Sequence, residues 1–299
     1  MIDQCIPRQI RFIMKRIPGV LLMWQFFRFT IPSKIDRALH ATQIMFLESL
    51  PLFAPNSPGP RDARLILTFE AANRTFPLLA QLAETSRHRK QTIPLKDDSI
   101  SAAPSAQDAA NELEKLFGKH YSDKSSYHNY HRLYGPILRL PESITKVLEI
   151  GIGTNNEDVV SNMGRKGSPG ASLRAFRDFL PHAQIYGADI DPRILFREER
   201  IDTFVVDQTD LTSLARLGDS VGTDFDLIID DGLHAPHANL AVLLFAMNRV
   251  RPGGFIVIED IARCTAPLWE VAMALVPSTF ECQLFDTRNT LVLVAQRLT

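Results

Sequence analysis

The chain has 299 residues, a length that suits one large α/β domain or a smaller domain with an appendage. Hydrophobic residues make up 45% of the sequence and charged residues 22%, which argues against a disordered chain and against a membrane-embedded one. The net charge of -1 at pH 7 gives no electrostatic sign of nucleic-acid binding. We therefore expect an ordinary soluble globular protein without a nucleic-acid partner.

Three cysteines, Cys5, Cys264 and Cys282, are scattered along the chain without CxxC spacing. This spacing argues against a zinc site or a disulfide framework and is typical of proteins in a reducing compartment. The sequence therefore predicts a cytoplasmic protein.

The N-terminal segment contains a short apolar run, GVLLMWQFF at 19–27, preceded by Lys15 and Arg16. No small-residue cleavage site follows, and a bilayer span needs about 20 residues, so we expect neither a signal peptide nor a transmembrane segment. Residues 1–40 carry seven Lys or Arg against two Asp. A packed helix with a solvated basic face is the expected structure, and weak contact with a membrane surface is the alternative.

The composition of the chain changes near residue 105. Residues 1–92 suggest mixed, mostly helical segments, and KDDSISAAPSAQD at 96–108 has the composition of a linker. A short helix, NELEKLFGKH, is predicted next, with Gly118 as its stop. We therefore predict a mostly helical auxiliary region over residues 1–105 and a main domain over residues 106–299.

From residue 146 onward, short β-rich runs alternate with segments of helical spacing, one of which starts near Ala171. The runs are KVLEI, QIYGA, DTFVV, FDLIID and FIVIE, and the alternation predicts a parallel sheet. The apolar positions of two predicted helices are Leu173, Phe176, Phe179 and Leu180, then Leu240, Leu243, Leu244 and Met247. FECQLF and LVLVAQ, separated by DTRNT, predict a final antiparallel hairpin. The expected fold class is α/β, a Rossmann-like doubly wound sheet of seven strands.

Ligands of such sheets bind at the carboxyl ends of the strands, where this chain places glycines and acidic residues. Gly151 and Gly153 follow the first strand and allow a tight turn and a close backbone approach. Asp189 ends the second strand, 38 residues after Gly151, against about 20 in a dinucleotide fingerprint. The loop between them is therefore expanded.

Most of the later strand ends are acidic as well. The carboxylates that follow the third, fourth and fifth strands are Asp207, Asp230, Asp231, Glu259 and Asp260. Gln208, beside Asp207, adds an amide, and the pair could read an adenine edge as acceptor and donor. Carboxylates packed around one crevice repel and raise one another's pKa, so we expect a positive charge among them.

The motifs VLEIGIG, GADIDP, VVDQTD, FDLIIDDGLH and RPGGFIVIEDI, in this order, resemble those of the class I S-adenosylmethionine-dependent methyltransferases. Within that class they are most similar to the metal-dependent sugar O-methyltransferases of macrolide tailoring, the mycinamicin and macrocin type. The resemblance covers about residues 118–298 and leaves out residues 1–105. The segment YSDKSSYHNYHRLYGPIL at 121–138 is similar to the one that precedes the first strand in these enzymes and helps close the cofactor site.

This resemblance implies a role for each strand-end residue. Residues implied to bind S-adenosylmethionine, from its methionine end through the ribose to the adenine, are Glu149, Gly151, Gly153, Asp189, Asp207 and Gln208, with Tyr130 approaching from the preceding segment. Asp231, Glu259 and Asp260 would hold Mg²⁺, and His234 would be the general base. Mg²⁺ prefers oxygen ligands and makes a bound hydroxyl more acidic, and a histidine with a pKa of about 6.5 can accept the proton.

Each assignment has a structural alternative. The two glycines could serve only a turn, Asp231 could cap the next helix, and His234 could be an ordinary loop histidine. Glu259 and Asp260 could be solvated loop charges. The side chains expected in structural, surface, core or lid positions are Asp230, His237, Lys124, His128 and Tyr134.

Three functions fit these features to different degrees. The favoured one is a magnesium-dependent O-methyltransferase acting on a sugar hydroxyl of a glycoside, an antibiotic or a glycan, and the resemblance adds a homo-oligomer as an option. A non-catalytic scaffold that binds S-adenosylmethionine, with residues 1–105 recruiting a partner, is the first alternative. A nicotinamide-dependent oxidoreductase is the second, and the 38-residue spacing and the acidic cluster argue against it.

Overall fold

In a computed structural model of the chain, the structure describes residues 73, 75–82, 92–94, 104–165 and 167–298. The chain divides into two compact units, Met1–Arg89 and Lys90–Thr299. In the first unit the described residues 75–82 are helical, and the expectations for the apolar and basic N-terminal segment lie outside the described residues. Within the described part, no helix has the length and apolar character needed to cross a bilayer.

The second unit is built on a sheet of nine strands within the described residues. The strands are β1 (Thr92–Pro94), β2 (Lys146–Ile150), β3 (Gln184–Asp189), β4 (Arg197–Glu198), β5 (Ile201–Val205), β6 (Phe225–Asp230), β7 (Val250–Ile261), β8 (Phe280–Asp286) and β9 (Leu291–Arg297). Their order across the sheet is β1-β8-β9-β7-β6-β2-β3-β5-β4. The seven predicted strands are confirmed and lie side by side, with the short β1 and β4 added at the two edges.

Strand direction follows the predicted pattern. β5, β3, β2, β6 and β7 are parallel to one another, and β9 runs antiparallel to both β7 and β8. Every residue of β6 is buried, as expected for a central parallel strand covered on both faces. The doubly wound sheet with an antiparallel C-terminal hairpin is therefore confirmed.

Helices cover both faces of this sheet. Their bounds are α1 (Pro104–Lys119), α2 (Asp123–Ser126), α3 (His131–Ile137), α4 (Ala171–Phe179), α5 (Leu211–Val221), α6 (Pro236–Met247) and α7 (Ala266–Leu275). One cluster of buried side chains contains residues of β2, β6, α5, α6 and α7, and another contains residues of β3, α1, α3 and α4. The carboxyl ends of the parallel strands are left free to form a site.

The helix α1 begins earlier than predicted. Pro104 starts it inside the segment 96–108 that has a linker's composition, because proline suits the first turn of a helix. Ala106 and Ala110 are fully buried, and a Cβ atom added to Gly135 of α3 would lie 2.6 Å from the Ala106 carbonyl oxygen. The small residues therefore serve close helix packing. The compact units divide at Arg89, and the predicted domain boundary at residue 105 stays a prediction.

Two further details differ from the expectations. β7 begins at Val250, several residues before the predicted run FIVIE. Leu244, assigned to the apolar side of its helix, is exposed, since the buried side of α6 is centred on Val242 and Phe245. The cytoplasmic localisation stays a prediction.

Candidate active site

The loops that follow β2 and β6 lie in direct contact. Gly151 and Gly153 have φ angles of 89° and 78°, a left-handed conformation that favours glycine. A Cβ atom on Gly151 would lie 2.3 Å from the carbonyl oxygen of Asp231, and a real Cβ cannot approach backbone so closely. The two glycines therefore bring the end of β2 against the end of β6.

Two cavities adjoin at this contact. The first, of about 360 Å³, is lined by the predicted metal and base residues Asp231, His234, Glu259 and Asp260 together with Tyr130. The second, of about 450 Å³, is lined by the predicted ribose and adenine residues Asp189, Asp207 and Gln208. Both cavities share Gly151, Gly153 and Asp231 as lining residues. Apart from Glu149, every predicted site residue lines one of the two cavities.

Three side chains in the first cavity form a group suited to a divalent cation. Asp231, His234 and Asp260 each offer one ligand atom, and these atoms lie within 4.8 Å of one another. His234 and Asp260 have φ angles of 56° and 53°, a conformation that is costly outside glycine and that clusters at functional sites. Carboxylate oxygens and imidazole nitrogens are ordinary ligands of divalent metals.

The positive charge expected among the carboxylates is Lys124. Its Nζ lies 2.6 Å from Asp231 Oδ2 and 3.1 Å from Glu149 Oε1, and it donates a short hydrogen bond to Glu259 Oε2. Burial lowers the pKa of Lys124, but the three carboxylates outweigh it and hold this pKa well above its usual value. The side chain is 1% exposed and stays charged inside the cluster.

Glu259 is held on both of its oxygens. Oε2 accepts from Lys124, and Oε1 accepts from the hydroxyl of Tyr134. Burial raises the pKa of Glu259 and Lys124 lowers it, but the carboxylates of Asp231 and Glu149 raise it again, so the pKa stays well above its usual value. The group of three ligand atoms contains His234 and not Glu259, which the resemblance implies as the third metal ligand. The metal role of Glu259 stays a prediction.

Asp260 is surrounded by polar side chains from the segment before β2 and from the final hairpin. The Tyr130 hydroxyl donates to Asp260 Oδ1 at 2.5 Å and lies 2.8 Å from Thr290 Oγ1. His128 stacks on Tyr130 with ring centroids 4.7 Å apart, and its Nδ1 lies 3.2 Å from Asp260 Oδ1. Burial, and then the neighbouring Asp260 carboxylate, raises the pKa of Tyr130 far above its usual value.

The carboxylate and amide of the second cavity are anchored to the backbone. Asp189 accepts hydrogen bonds from the backbone N–H groups of Ile152 and Asp191, each at 3.0 Å. Burial raises the pKa of Asp189. Gln208 accepts from the Leu233 N–H at 2.9 Å, which fixes the loop after β6. Hydrogen bonds from Thr209 lower the pKa of Asp207, which keeps that side chain an acceptor.

Glu149 and Asp230 are buried behind the cavities. Glu149 has no exposed surface and accepts from Ser172 Oγ at 2.6 Å, and both Ser172 and Lys124 line the first cavity. Asp230 accepts from Asn239 Nδ2 at 2.8 Å, and burial raises its pKa to about 6. Asp230 thus has the structural role expected of it. His237, in the first turn of α6, is exposed, also as expected.

Sequence reasoning left Lys124, His128 and Tyr134 without a role, although all three lie in the acidic cluster. The acidic strand ends indicated that a positive charge was needed, but the sequence did not show which lysine supplies that charge. All three residues lie in the segment 121–138, which the resemblance places beside the cofactor site.

No family model matches the chain. Among solved structures, the MycE methyltransferase from the mycinamycin biosynthetic pathway, in complex with Mg and S-adenosylhomocysteine, superposes with a TM-score of 0.51 and 25% identity, over 62% of this chain and 53% of that one. The fold is that of the class I methyltransferases. A second MycE complex, which also contains mycinamycin VI, matches this methyltransferase fold with a TM-score of 0.50.

Curated relatives that match this chain include sugar O-methyltransferases. A tetracenomycin 3'-O-methyltransferase from Streptomyces olivaceus, acting on a methoxyrhamnosyl group, is 33% identical over 70% of this chain and 51% of its own length. A rhamnosyl tetracenomycin-C 2'-O-methyltransferase from the same organism is 30% identical over 58% of this chain and 44% of its own length. The chain thus spans about half the length of the curated relatives it matches. A mycinamicin VI 2''-O-methyltransferase from Micromonospora griseorubida is 39% identical over 39% of the chain.

Proposed function

We propose that this protein transfers a methyl group from S-adenosylmethionine to a sugar hydroxyl of a glycoside in a magnesium-dependent reaction. The observation that carries the proposal is the group formed by Asp231, His234 and Asp260 beside the Gly151 loop, at the carboxyl ends of β2, β6 and β7. Similarity to the rhamnosyl and macrolide O-methyltransferases supports the sugar hydroxyl as acceptor.

The residues of the first cavity fit a divalent cation. Asp231 and Asp260 supply carboxylate oxygens, and the Nδ1 atom of His234 is buried without a hydrogen-bond partner among the described residues. Asp260 and Asp231 are part-exposed, so an ion and a substrate can reach them. When bound, Mg²⁺ would make a nearby sugar hydroxyl more acidic. Asp231 and Asp260 are the expected ligands, and we propose Glu259 as a further one.

The chain's own residues would orient the two substrates and move one proton. Asp189, Asp207 and Gln208 would hold the adenosine part of S-adenosylmethionine in the second cavity, with Gly151 admitting the methionine part into the first. His234 would accept the proton of the sugar hydroxyl as general base. The hydroxyl oxygen then forms its bond to the methyl carbon as the bond from that carbon to sulfur breaks, and the electron pair stays on sulfur. Much of the rate comes from holding both reactants in line.

The remaining alternatives have less support. An oxidoreductase would need a nicotinamide site, and the 38-residue separation of Gly151 and Asp189 does not match a dinucleotide fingerprint. A scaffold without catalysis would not need a histidine and two carboxylates converging on an open cavity. The acceptor itself, a natural-product glycoside or a glycan, is proposed only as a class.

The test is titration calorimetry of the full chain with S-adenosylhomocysteine and with Mg²⁺, together with transfer of labelled methyl groups to a panel of glycosides. We expect Asp231→Asn to keep S-adenosylhomocysteine binding and to lose most Mg²⁺ binding and turnover, because it removes one charged ligand. Asp219→Asn, on the exposed side of α5, is the matched control and should match the wild type. If the wild-type protein binds neither ligand, the proposal fails, and binding of S-adenosylhomocysteine with neither Mg²⁺ binding nor methyl transfer would favour the scaffold alternative.

A further inference from the structure

Lys124 is a side chain of the first cavity that the proposed mechanism does not use. It lies at the start of α2, and its ammonium group contacts carboxylates from the ends of three parallel strands. These are Glu149 of β2, Asp231 after β6 and Glu259 of β7. One cation therefore connects the strand that leads into the cofactor loop with both strands that lead into the metal group.

The contacts of Lys124 overlap the ligand set of the proposed metal. Asp231 belongs to the group of Asp231, His234 and Asp260, and its Oδ2 lies 2.6 Å from Lys124 Nζ. Both oxygens of Glu259, the proposed further ligand, already accept hydrogen bonds, one from Lys124 and one from Tyr134. Two cations that share carboxylates within a buried cluster repel each other strongly, since burial lowers the local dielectric.

From this overlap we infer that Lys124 is a positioning residue that competes with Mg²⁺ for Asp231 and Glu259 and thereby weakens metal binding. In the absence of metal, the ammonium group holds the acidic strand ends together and offsets their repulsion. When metal binds, the same group confines it to the Asp231, His234 and Asp260 side of the cavity. This inference rests on the proposed metal-dependent function and concerns the strength and ligand set of the metal site.

Lys124→Met tests the competition, because methionine keeps much of the side-chain volume and removes the charge. We expect the Kd of the full-length protein for Mg²⁺, measured by titration calorimetry, to fall about tenfold. The midpoint of thermal unfolding without metal should fall as well, since Glu149 and Glu259 lose their buried counter-charge. Saturating Mg²⁺ should then raise that midpoint more in the variant than in the wild type, because a ligand that binds the folded state more tightly stabilises it more.

Two variants separate loss of charge from loss of packing. Lys124→Arg keeps the charge and should bind Mg²⁺ with a Kd within about threefold of the wild type. Lys146→Met, at the opposite end of β2 where the ammonium group donates to the Thr223 carbonyl, removes a lysine charge away from the cavity and should leave the Kd unchanged.

If Lys124→Met does not fold without metal, Glu149→Gln answers the same question. Glutamine can still accept from Ser172, but it frees Lys124 from one of its three carboxylates. We expect the Kd for Mg²⁺ to rise about threefold, opposite in direction to the change in Lys124→Met.

Unchanged or weaker Mg²⁺ binding in Lys124→Met, or an unchanged Kd in Glu149→Gln, overturns the inference. A wild-type protein that binds no Mg²⁺ overturns the proposed function as well, so the two failures are distinguishable.

Discussion

His234 is the residue on which the proposed chemistry depends, and its position allows two roles. Its Nε2 atom lies 3.9 Å from Asp260 Oδ2, near enough for the ring to be either a base beside the metal or a ligand to it. The backbone at His234 has a φ of 56°, a costly conformation for a residue other than glycine. Such strain favours a functional role over that of an ordinary loop histidine.

The substitution His234→Ala separates the two roles. Loss of a general base lowers kcat by about 100-fold or more, and we expect this loss with Mg²⁺ affinity within about threefold of the wild type. Methyl-transfer kinetics and Mg²⁺ titration of the same protein provide the check, with His237→Ala on the exposed side of α6 as the control. A variant that loses turnover and Mg²⁺ affinity together would show that His234 is a metal ligand instead.

At the scale of elements, α1 and α4 are joined by a polar cluster as well as by aromatic packing. Phe117 of α1 meets Phe176 of α4 edge to face, with centroids 5.4 Å apart. Beside them, Asp178 of α4 accepts from Lys119 and His120, each at 2.8 Å. These contacts fix the end of α1 against α4. The segment that follows α1 leads to Lys124.

Asp178→Asn should destabilise the protein in a pH-dependent way. Burial raises the pKa of the Asp178 carboxyl, but hydrogen bonds from Lys119, His120 and Arg177 lower it by more. The net result is a pKa well below its usual range. A carboxyl with a depressed folded-state pKa adds stability above its unfolded pKa of about 3.9 and loses that contribution as the pH falls through the folded-state pKa. Because Lys119 is largely exposed, we expect a loss of only about 1 kcal/mol at pH 7.

Urea unfolding of wild type and Asp178→Asn between pH 3 and pH 7 measures this difference. The gap in unfolding free energy should be full at pH 7 and should shrink below about pH 4. A gap that stays constant over the whole range would mean that Asp178 acts through packing and not through its charge.

The elements that the sequence predicted are those encoded locally. Runs such as FDLIID and FIVIE predicted their strands because continuous β-rich segments form the centre of a parallel sheet. The strands β1 and β4, of three and two residues, are too short to leave a periodic signal. Lys124 could not be assigned because it lies 107 positions before Asp231 and 135 before Glu259, and only the folded sheet brings them together.

At the scale of the whole molecule, both cavities belong to the second compact unit. The described residues that line them fall between Tyr121 and Asp260, and the sheet that positions them runs from Thr92 to Arg297. The unit Met1–Arg89 contributes no lining residue to either cavity among the residues that the structure describes. Cofactor binding can therefore be tested on the second unit by itself.

A fragment of residues 90–299 should bind S-adenosylhomocysteine with a Kd within about twofold of the full chain, because the sheet, the Gly151 loop and Asp189 are all retained. Titration calorimetry gives the Kd, and a cooperative thermal unfolding transition serves as the control that the fragment is folded. Equal cofactor affinity with reduced methyl transfer to glycosides would place acceptor binding or assembly in the first unit, as the auxiliary role proposed for residues 1–105 requires. A folded fragment that binds the cofactor more than tenfold more weakly would contradict this division, since residues 1–89 would then help to form the cofactor site itself.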